Sequence, residues 1–270
     1  MSKVLRMLRC CLGLGLLTLP LLFGSLALAG QDCGERPAAT AQSLEQGLQL
    51  GKKVRDQLEQ SGASMALVAR VGLNLSEYGQ RYSHMGVAFR DHVLNRWQVV
   101  HLFNTCGKGE SDVLTQPLES FYQTDLFDYE ALLVMPSYAT QGRLRTAFMN
   151  PASARRLHHW AYNLISHPFS TQYQNSNQWI LETLSLGLAS DPIPDRAAAQ
   201  RWLKAQAFEP AGVHIPTLRR SAARLFSPHV HFSDHTQEEF EKQTYLVLTV
   251  ESIVKFLSRL DADSTQLVLR

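Results

Sequence analysis

Residues 82–89 read Tyr-Ser-His-Met-Gly-Val-Ala-Phe, and large apolar residues alternate with small or polar ones in this stretch. Such alternation predicts a strand whose side chains point in turn to opposite faces of a sheet. Residues 96–103 alternate in the same way and carry His101, as the first stretch carries His84. The polar residues 91–95 between them predict a hairpin turn. We therefore expect the two histidines on neighbouring antiparallel strands.

A third stretch, Asn-Ser-Asn-Gln-Trp-Ile at residues 175–180, predicts the start of a helix. Asn175 is a good N-cap residue, and Gln178 follows three positions later as in a capping box, a pattern that requires no chemistry. Ser176 then lies in the first turn, where free backbone N–H groups and the helix dipole favour developing negative charge. The hydroxyl of Ser176 is therefore a candidate nucleophile.

These three residues have the types that nucleophilic catalysis requires. We interpret Ser176 as the nucleophile, His84 as the general base and His101 as the residue that fixes the tautomer of His84. Gly86 and Ala88 follow His84 on the same predicted face, where these small residues leave room for a substrate or for the helix of Ser176. Each histidine taken alone is more typical of a surface or core position, so the hypothesis depends on their occurrence together.

Apolar spacing and turn residues divide the rest of the chain into helices and short strands. The mixture indicates an α+β fold, with helices packed on an antiparallel sheet in a single domain over residues 30–270. The predicted helices cover residues 40–61, 118–123, 144–148, 152–165, 177–189, 195–208 and 253–260. The predicted strands outside the hairpin cover residues 65–71, 130–135, 230–232 and 245–250.

The N-terminus has the pattern of a secretory signal peptide. Lys3, Arg6 and Arg9 precede a long apolar stretch, and Ala27-Leu28-Ala29 supplies a small-x-small cleavage site, which makes residues 1–29 the signal. An uncleaved anchor is the alternative, because the apolar stretch is nearly long enough to span a bilayer. We expect an exported protein, periplasmic or secreted, without an integral membrane segment after cleavage.

Loss of this segment changes the charge of the protein. The whole chain has a net charge of +2, and three cations but no acidic residue lie in residues 1–29, so the remaining chain carries −1. It therefore lacks the basic character typical of nucleic-acid-binding proteins, and we predict no nucleic-acid partner. The sequence also lacks a Gly-rich phosphate loop and a dinucleotide motif, and we predict no cofactor.

Two cysteines, Cys33 and Cys106, follow the signal segment. In an oxidising compartment a pair of cysteines favours one disulfide, which would tie the mature N-terminus to the loop after the His101 strand. Two free thiols are the alternative.

A metal site is a rival hypothesis. The run His-Val-His-Phe-Ser-Asp-His at residues 229–235 nearly matches the His-x-His-x-Asp-His ligand motif of metallo-β-lactamase-type hydrolases. One additional residue separates His231 from Asp234, which changes the direction of the acid. A zinc-dependent hydrolase would use His229, His231, Asp234 and His235, since imidazole suits zinc. The alternative is a polar strand edge followed by a turn.

The stretches around His84, His101 and Ser176 together resemble the circularly permuted papain-like group, which includes permuted NlpC-type proteins and the lecithin–retinol acyltransferase family. The resemblance implies a papain-like α+β domain, with His84 as base, His101 as orienting residue and Ser176 as nucleophile. The group has cysteine where this chain has Ser176. The whole mature chain more closely resembles an uncharacterised bacterial secreted family, domain of unknown function 2145.

The resemblance leaves the activity and the substrate open. The main hypothesis is hydrolysis or acyl transfer on an amide, ester or thioester, and the alternative is a non-catalytic envelope binding protein on a papain-like scaffold. The substrate would be a small molecule or a component of the cell envelope, such as a cell-wall peptide or a lipid acyl group. Four aromatic residues either line an apolar slot or belong to the core, namely Trp97, Phe103, Tyr173 and Trp179.

Overall fold

The computed structural model describes residues 39–105, 108–123 and 126–270. The predicted signal segment, residues 1–29, and the predicted disulfide partners Cys33 and Cys106 lie outside the described residues. Within the described ranges, no helix combines the length and apolar character needed to cross a membrane.

The described strands form a large and a small antiparallel sheet. They are β1 (Met65–Val71), β2 (His84–Asp91), β3 (Arg96–Asn104), β4 (Ser111–Pro117), β5 (Asp128–Met135), β6 (Ala211–His214), β7 (Thr244–Val247) and β8 (Thr265–Leu269). Six strands form one sheet in the order β4-β3-β2-β1-β5-β8, with each neighbouring pair antiparallel. Strands β6 and β7 pair separately. The predicted antiparallel α+β architecture is therefore confirmed.

Helices cover both faces of the large sheet. The described helices are α1 (Ala41–Ser61), α2 (Leu118–Gln123), α3 (Tyr138–Met149), α4 (Pro151–Arg156), α5 (Ser176–Leu188), α6 (Arg196–Ala205), α7 (Thr217–Phe226), α8 (Gln237–Lys242) and α9 (Val250–Leu260). Apolar residues of α1 and α2 pack with Ala88 and Val99 on one face of the sheet. Apolar residues of α3, α5 and α9 pack with Met85 and Val87 on the other face.

Most predicted elements with strong local signals are confirmed. Helix α1 begins after Thr40, whose side chain accepts a hydrogen bond from Ser43 N, and ends at Gly62 in the left-handed region with φ 68°. The hairpin of β2 and β3 pairs Val87 with Val100, as the alternation predicts. Seven consecutive apolar or buried residues form β1, which lies inside the sheet with a helix layer on each face.

Two predicted elements are wrong. The helix predicted over residues 152–165 ends at Arg156, because the following backbone bonds to distant segments: Tyr162 N–H donates to Gly109 O, and Leu164 N–H to His229 O. The strand predicted over residues 230–232 is irregular, since its backbone bonds to a side chain and a turn rather than to a neighbouring strand. Both segments form loops beside the start of α5, and both owe their shape to tertiary hydrogen bonds.

Gly86 permits close packing between the two histidine strands. A Cβ atom added to Gly86 would lie 2.5 Å from Val99 Cγ1 and 3.3 Å from both His101 Cβ and Phe121 Cε2. The space beside His84 that the small residue leaves is therefore filled by the neighbouring strand and by α2. Helix α5 packs mainly on the opposite face, so the expectation that Gly86 leaves room for a substrate or for that helix is wrong.

We expect Gly86→Ala to destabilise the protein by about 1–3 kcal/mol, because the new methyl group overpacks a filled interface. The matched control is Gly142→Ala in α3, where an added Cβ meets nothing within 4 Å. That substitution should be neutral or stabilising by about 0.5–1 kcal/mol, since alanine favours a helix. Urea unfolding of both variants measures the difference, and equal stabilities would contradict the packing described for Gly86.

Candidate active site

The structure brings the three predicted site residues into one hydrogen-bonded row. His84 Nδ1 lies 3.1 Å from Ser176 Oγ, and His84 Nε2 lies 3.0 Å from His101 Nδ1. Strands β2 and β3 supply the two rings, and the first residue of α5 supplies the hydroxyl. Both contacts follow the order nucleophile, base and orienting residue that the sequence predicts.

The partners of the histidine ring nitrogens determine which tautomers let Ser176 donate its proton to His84. If Ser176 Oγ–H donates to His84 Nδ1, then His84 Nε2–H donates to His101 Nδ1, and His101 Nε2 carries the remaining proton. His101 Nε2 is buried and has no hydrogen-bond partner among the described residues. The row therefore ends on an imidazole, whereas a Ser-His-Asp triad ends on a carboxylate.

Burial keeps both histidines uncharged at neutral pH. Loss of hydration, reinforced by the positive charge of Arg70 and by His101, lowers the pKa of His84 well below its ordinary value. The same desolvation and Arg70 lower the pKa of His101 to about 3. Arg70 lies opposite His84 in the register of β1 and β2. His84 is therefore uncharged at neutral pH and able to accept a proton on its free ring nitrogen, but it is a weak base.

Phe121 of α2 contacts both imidazoles, although nothing in the sequence marked it as a functional residue. Its ring stacks on His84 with centroids 5.6 Å apart and meets the edge of His101 at 5.4 Å. Its carbonyl oxygen accepts a hydrogen bond from Arg70 Nη1 at 2.7 Å, and the Arg70 guanidinium lies 4.8 Å from the ring centroid. One buried residue thus fixes both rings and the nearest cation.

The start of α5 is fixed by its cap and by a loop. Asn175 Oδ1 accepts from Gln178 N at 2.7 Å, while Asn175 Nδ2 donates to Leu164 O. Gln178 does not return the bond as a capping box requires, because its Oε1 accepts from Ser166 Oγ at 2.7 Å. The predicted cap is therefore correct, and the predicted reciprocal bond is wrong. The cap leaves the backbone N–H groups of the first two helical residues outside the helical bonding pattern.

Tyr162 is a functional candidate that the sequence did not reveal. Burial raises the pKa of its phenol above the ordinary range, and a hydrogen bond with Ser176 opposes that rise. It lies in the segment that was predicted to be helical, and its position beside Ser176 arises from backbone bridges to Gly109 and Gln174. The phenol is therefore neutral at ordinary pH, and it lines the same cleft as Ser176.

Tyr162, Ser176 and Asn177 line one cleft. The loop between β1 and β2 forms one wall of the cleft, and β6 with the end of β7 forms another. Of the aromatic residues proposed for an apolar slot, Trp97 and Trp179 are buried in the core. None of the four lines this cleft.

The residues of the rival metal hypothesis are engaged in other contacts. His235 Nδ1 lies 3.1 Å from Glu239 Oε1, and its Nε2 lies 2.7 Å from Ile165 O. Asp234 accepts hydrogen bonds from Asn163 Nδ2 and His167 N. His231 stacks on Tyr173, and His229 is buried. Within the described residues, no group of three or more histidine, cysteine, aspartate or glutamate side chains is placed to hold a metal ion.

Comparison with known proteins gives the relationship of the chain. The model of a family described as "Uncharacterized protein conserved in bacteria (DUF2145)" matches residues 57–257, which include His84, His101 and Ser176. The chain belongs to this family. Searches of curated proteins and of solved structures found no match. Membership in DUF2145 agrees with the resemblance seen in the sequence but brings no activity with it.

We expect the stability of this DUF2145 protein to fall as pH decreases below about 6.5, the pKa of an unfolded histidine. His101 stays neutral in the folded protein down to about pH 3, so the unfolded state binds more protons in this window. His101→Asn keeps an acceptor for His84 and does not titrate. Between pH 7 and 5 this variant should lose about 1–2 kcal/mol less of its unfolding free energy than the wild type loses.

Urea unfolding at several pH values provides the measurement, and His92→Asn is the matched control because His92 lies exposed in the β2–β3 turn. The control should follow the wild type. If His101→Asn also follows the wild type, His101 is not held neutral in the folded protein.

Proposed function

We propose that this protein is an exported hydrolase or acyltransferase that acts on an amide, ester or thioester through Ser176. The observation that carries the proposal is the row of two short contacts from Ser176 through His84 to His101, with Ser176 in the wall of a cleft. The pattern of the N-terminal segment supports export, to the periplasm or outside the cell.

The first step is acylation of Ser176. Its Oγ attacks the substrate carbonyl carbon while its proton passes to His84 Nδ1, and the carbonyl oxygen becomes an oxyanion. Collapse of the tetrahedral intermediate breaks the bond to the leaving group, which takes the proton from His84. Water then releases the acid in a hydrolase, or an acceptor alcohol or amine takes the acyl group in an acyltransferase.

Two sets of donors are suited to the developing oxyanion. Tyr162 lines the same cleft as Ser176, and the backbone N–H groups of Ser176 and Asn177 lie at the start of α5. Such prearranged donors stabilise charge that develops in the transition state. His101 keeps His84 in the tautomer that accepts from Ser176, so we assign His101 as a positioning residue.

The layout also supports a papain-like relationship, which we propose for the fold. A base strand and an orienting strand precede the nucleophile helix in the chain, and that helix packs on an antiparallel sheet. This is the order of the permuted papain-like group described above. The replacement of its cysteine by Ser176 means that a hydroxyl, a weaker acid than a thiol, has to lose its proton during attack.

A non-catalytic binding protein on the same scaffold is the alternative, and one observation favours it. The pKa of His84 is depressed, and the described residues place no carboxylate beside His101 Nε2 to stabilise a protonated row. Transfer of a proton to His84 is therefore costly in the structure without substrate. Reactivity at position 176 separates the two functions.

A fluorophosphonate probe should label Ser176 of the purified protein, because an activated serine attacks the phosphorus atom. Ser176→Ala should abolish labelling and leave the melting temperature nearly unchanged, since Ser176 contributes one small side chain at the cleft wall. Ser83→Ala is the matched control, because Ser83 also lines the cleft but donates no hydroxyl to His84 in the row. Mass spectrometry of peptides locates the label, and labelling at another residue would contradict the assignment.

Ser176→Cys tests whether His84 activates this position. The introduced thiol should react with iodoacetamide at least tenfold faster near neutral pH than a thiol at a helix start without a histidine, since transfer of its proton to His84 would leave a thiolate paired with imidazolium. Ser43→Cys supplies that comparison, because Ser43 lies in the first turn of α1. The additional substitution His84→Ala should remove the excess rate. Equal rates in both helices would favour the binding protein.

A further inference from the structure

We propose that the cleft beside Ser176 binds an N-acyl amide with an uncharged, apolar acyl chain. The proposal deepens the proposed function by naming its substrate class, and it rests on that function for the position of the scissile carbonyl. Binding to the cleft is measurable without turnover, so the two proposals fail in distinguishable ways.

Apolar side chains dominate the lining of the cleft. They come from the β1–β2 loop, from the loop before α5 and from the β6–β7 lobe, so that three separate segments enclose one apolar space. Six of these side chains are Leu75, Leu164, Val213, Ile215, Val247 and Leu248. An apolar chain gains about 0.8 kcal/mol for each methylene that it buries there.

The described lining of the cleft carries no charged side chain, which argues against a cell-wall peptide as the substrate. None of the described residues that line the cleft is aspartate, glutamate, lysine, arginine or histidine. A cell-wall peptide with free carboxylate and ammonium groups would lose hydration in this space without gaining an ionic partner. The lining therefore favours an uncharged chain.

Asn177 selects an amide over an ester. Its side chain lines the cleft next to Ser176, and the residue is 7% exposed. Asn177 Oδ1 is buried and accepts no hydrogen bond within the described part of the chain. Rotation of the Asn177 side chain that turns Oδ1 toward the cleft would let a substrate amide N–H beside the scissile carbonyl satisfy this acceptor, whereas an ester has no hydrogen to donate. Tyr162 stands at the same end of the cleft, as a donor for the carbonyl oxygen.

Three neutral ligands separate these contributions when titrated into the Ser176→Ala variant by calorimetry. N-methyldecanamide has both the chain and the N–H, N,N-dimethyldecanamide lacks the N–H, and N-methylacetamide lacks the chain. We expect N-methyldecanamide to bind at least tenfold more tightly than N-methylacetamide. It should also bind about threefold to tenfold more tightly than N,N-dimethyldecanamide, as one hydrogen bond to Asn177 implies.

Paired substitutions locate the binding. Leu75→Lys places a charge in the cleft wall, and Leu218→Lys places the same charge on an exposed leucine of α7 outside it. The first should weaken binding of N-methyldecanamide at least tenfold, and the second should leave it unchanged. Val213→Thr, which conserves side-chain size, gives a second test on the opposite wall and should weaken binding about threefold or more.

Equal binding of the long and short amides, or equal effects of the two lysine substitutions, would overturn the proposal that the cleft binds an apolar acyl chain. Equal binding of the two decanamides would overturn the choice of an amide. If N-methyldecanamide binds as expected while the intact protein neither cleaves it nor reacts with a fluorophosphonate, then the cleft assignment stands and the proposed catalysis fails.

Discussion

The hydrogen bond between His84 Nε2 and His101 Nδ1 joins two imidazoles that the fold holds without charge, and the arrangement around Ser176 depends on it. Two adjacent protonated rings would repel each other, and burial adds a cost to each charge. Close packing enforces the contact: Gly86 lets β3 approach β2, and Phe121 covers both rings. The geometry of the row is therefore a consequence of core packing as much as of hydrogen bonding.

The nucleophile candidate is held by a second, independent anchor. Glu182 of α5 is fully buried and lies 2.7 Å from Arg196 Nε, and it also accepts from Gln174 and Gln200. Burial raises the pKa of the Glu182 carboxyl, while the guanidinium and the two amides oppose that effect. Removal of one partner would leave a charge buried without compensation, which is costly. This network fixes α5 against α6 and thereby fixes where Ser176 meets His84.

The same packing that positions the row limits its chemistry. A neutral base is ready to accept a proton at ordinary pH, but a strongly depressed pKa makes the transfer unfavourable unless the surroundings change when substrate binds. A bound substrate would place its carbonyl near the α5 start and Tyr162, where donors stabilise the oxyanion that accompanies a protonated His84. Catalysis and simple binding thus differ in the energy of one proton transfer rather than in the placement of residues.

The sequence by itself determined those elements whose signal is local. Alternation defined the β2–β3 hairpin and the shared face of His84 and His101, and cap residues defined α1 and the start of α5. The juxtaposition of Ser176 with the histidines was also predictable, because the three motifs occur in an order with a chemical meaning. The signal segment and the cysteine pairing remain predictions, since both lie outside the described residues.

Only the tertiary structure decided the features that depend on distant partners. The edge strands β4 and β8 were not predicted, because their pairing with β3 and β5 comes from the register of strands already in place. The irregular path that brings Tyr162 to Ser176 is set by backbone bonds to Gly109 and Gln174, which no periodicity in the chain encodes. Phe121 likewise has the pattern of an ordinary core residue. Its contact with both imidazoles exists because α2 packs closely over Gly86, which lacks a side chain, and local sequence cannot express such a relation between segments.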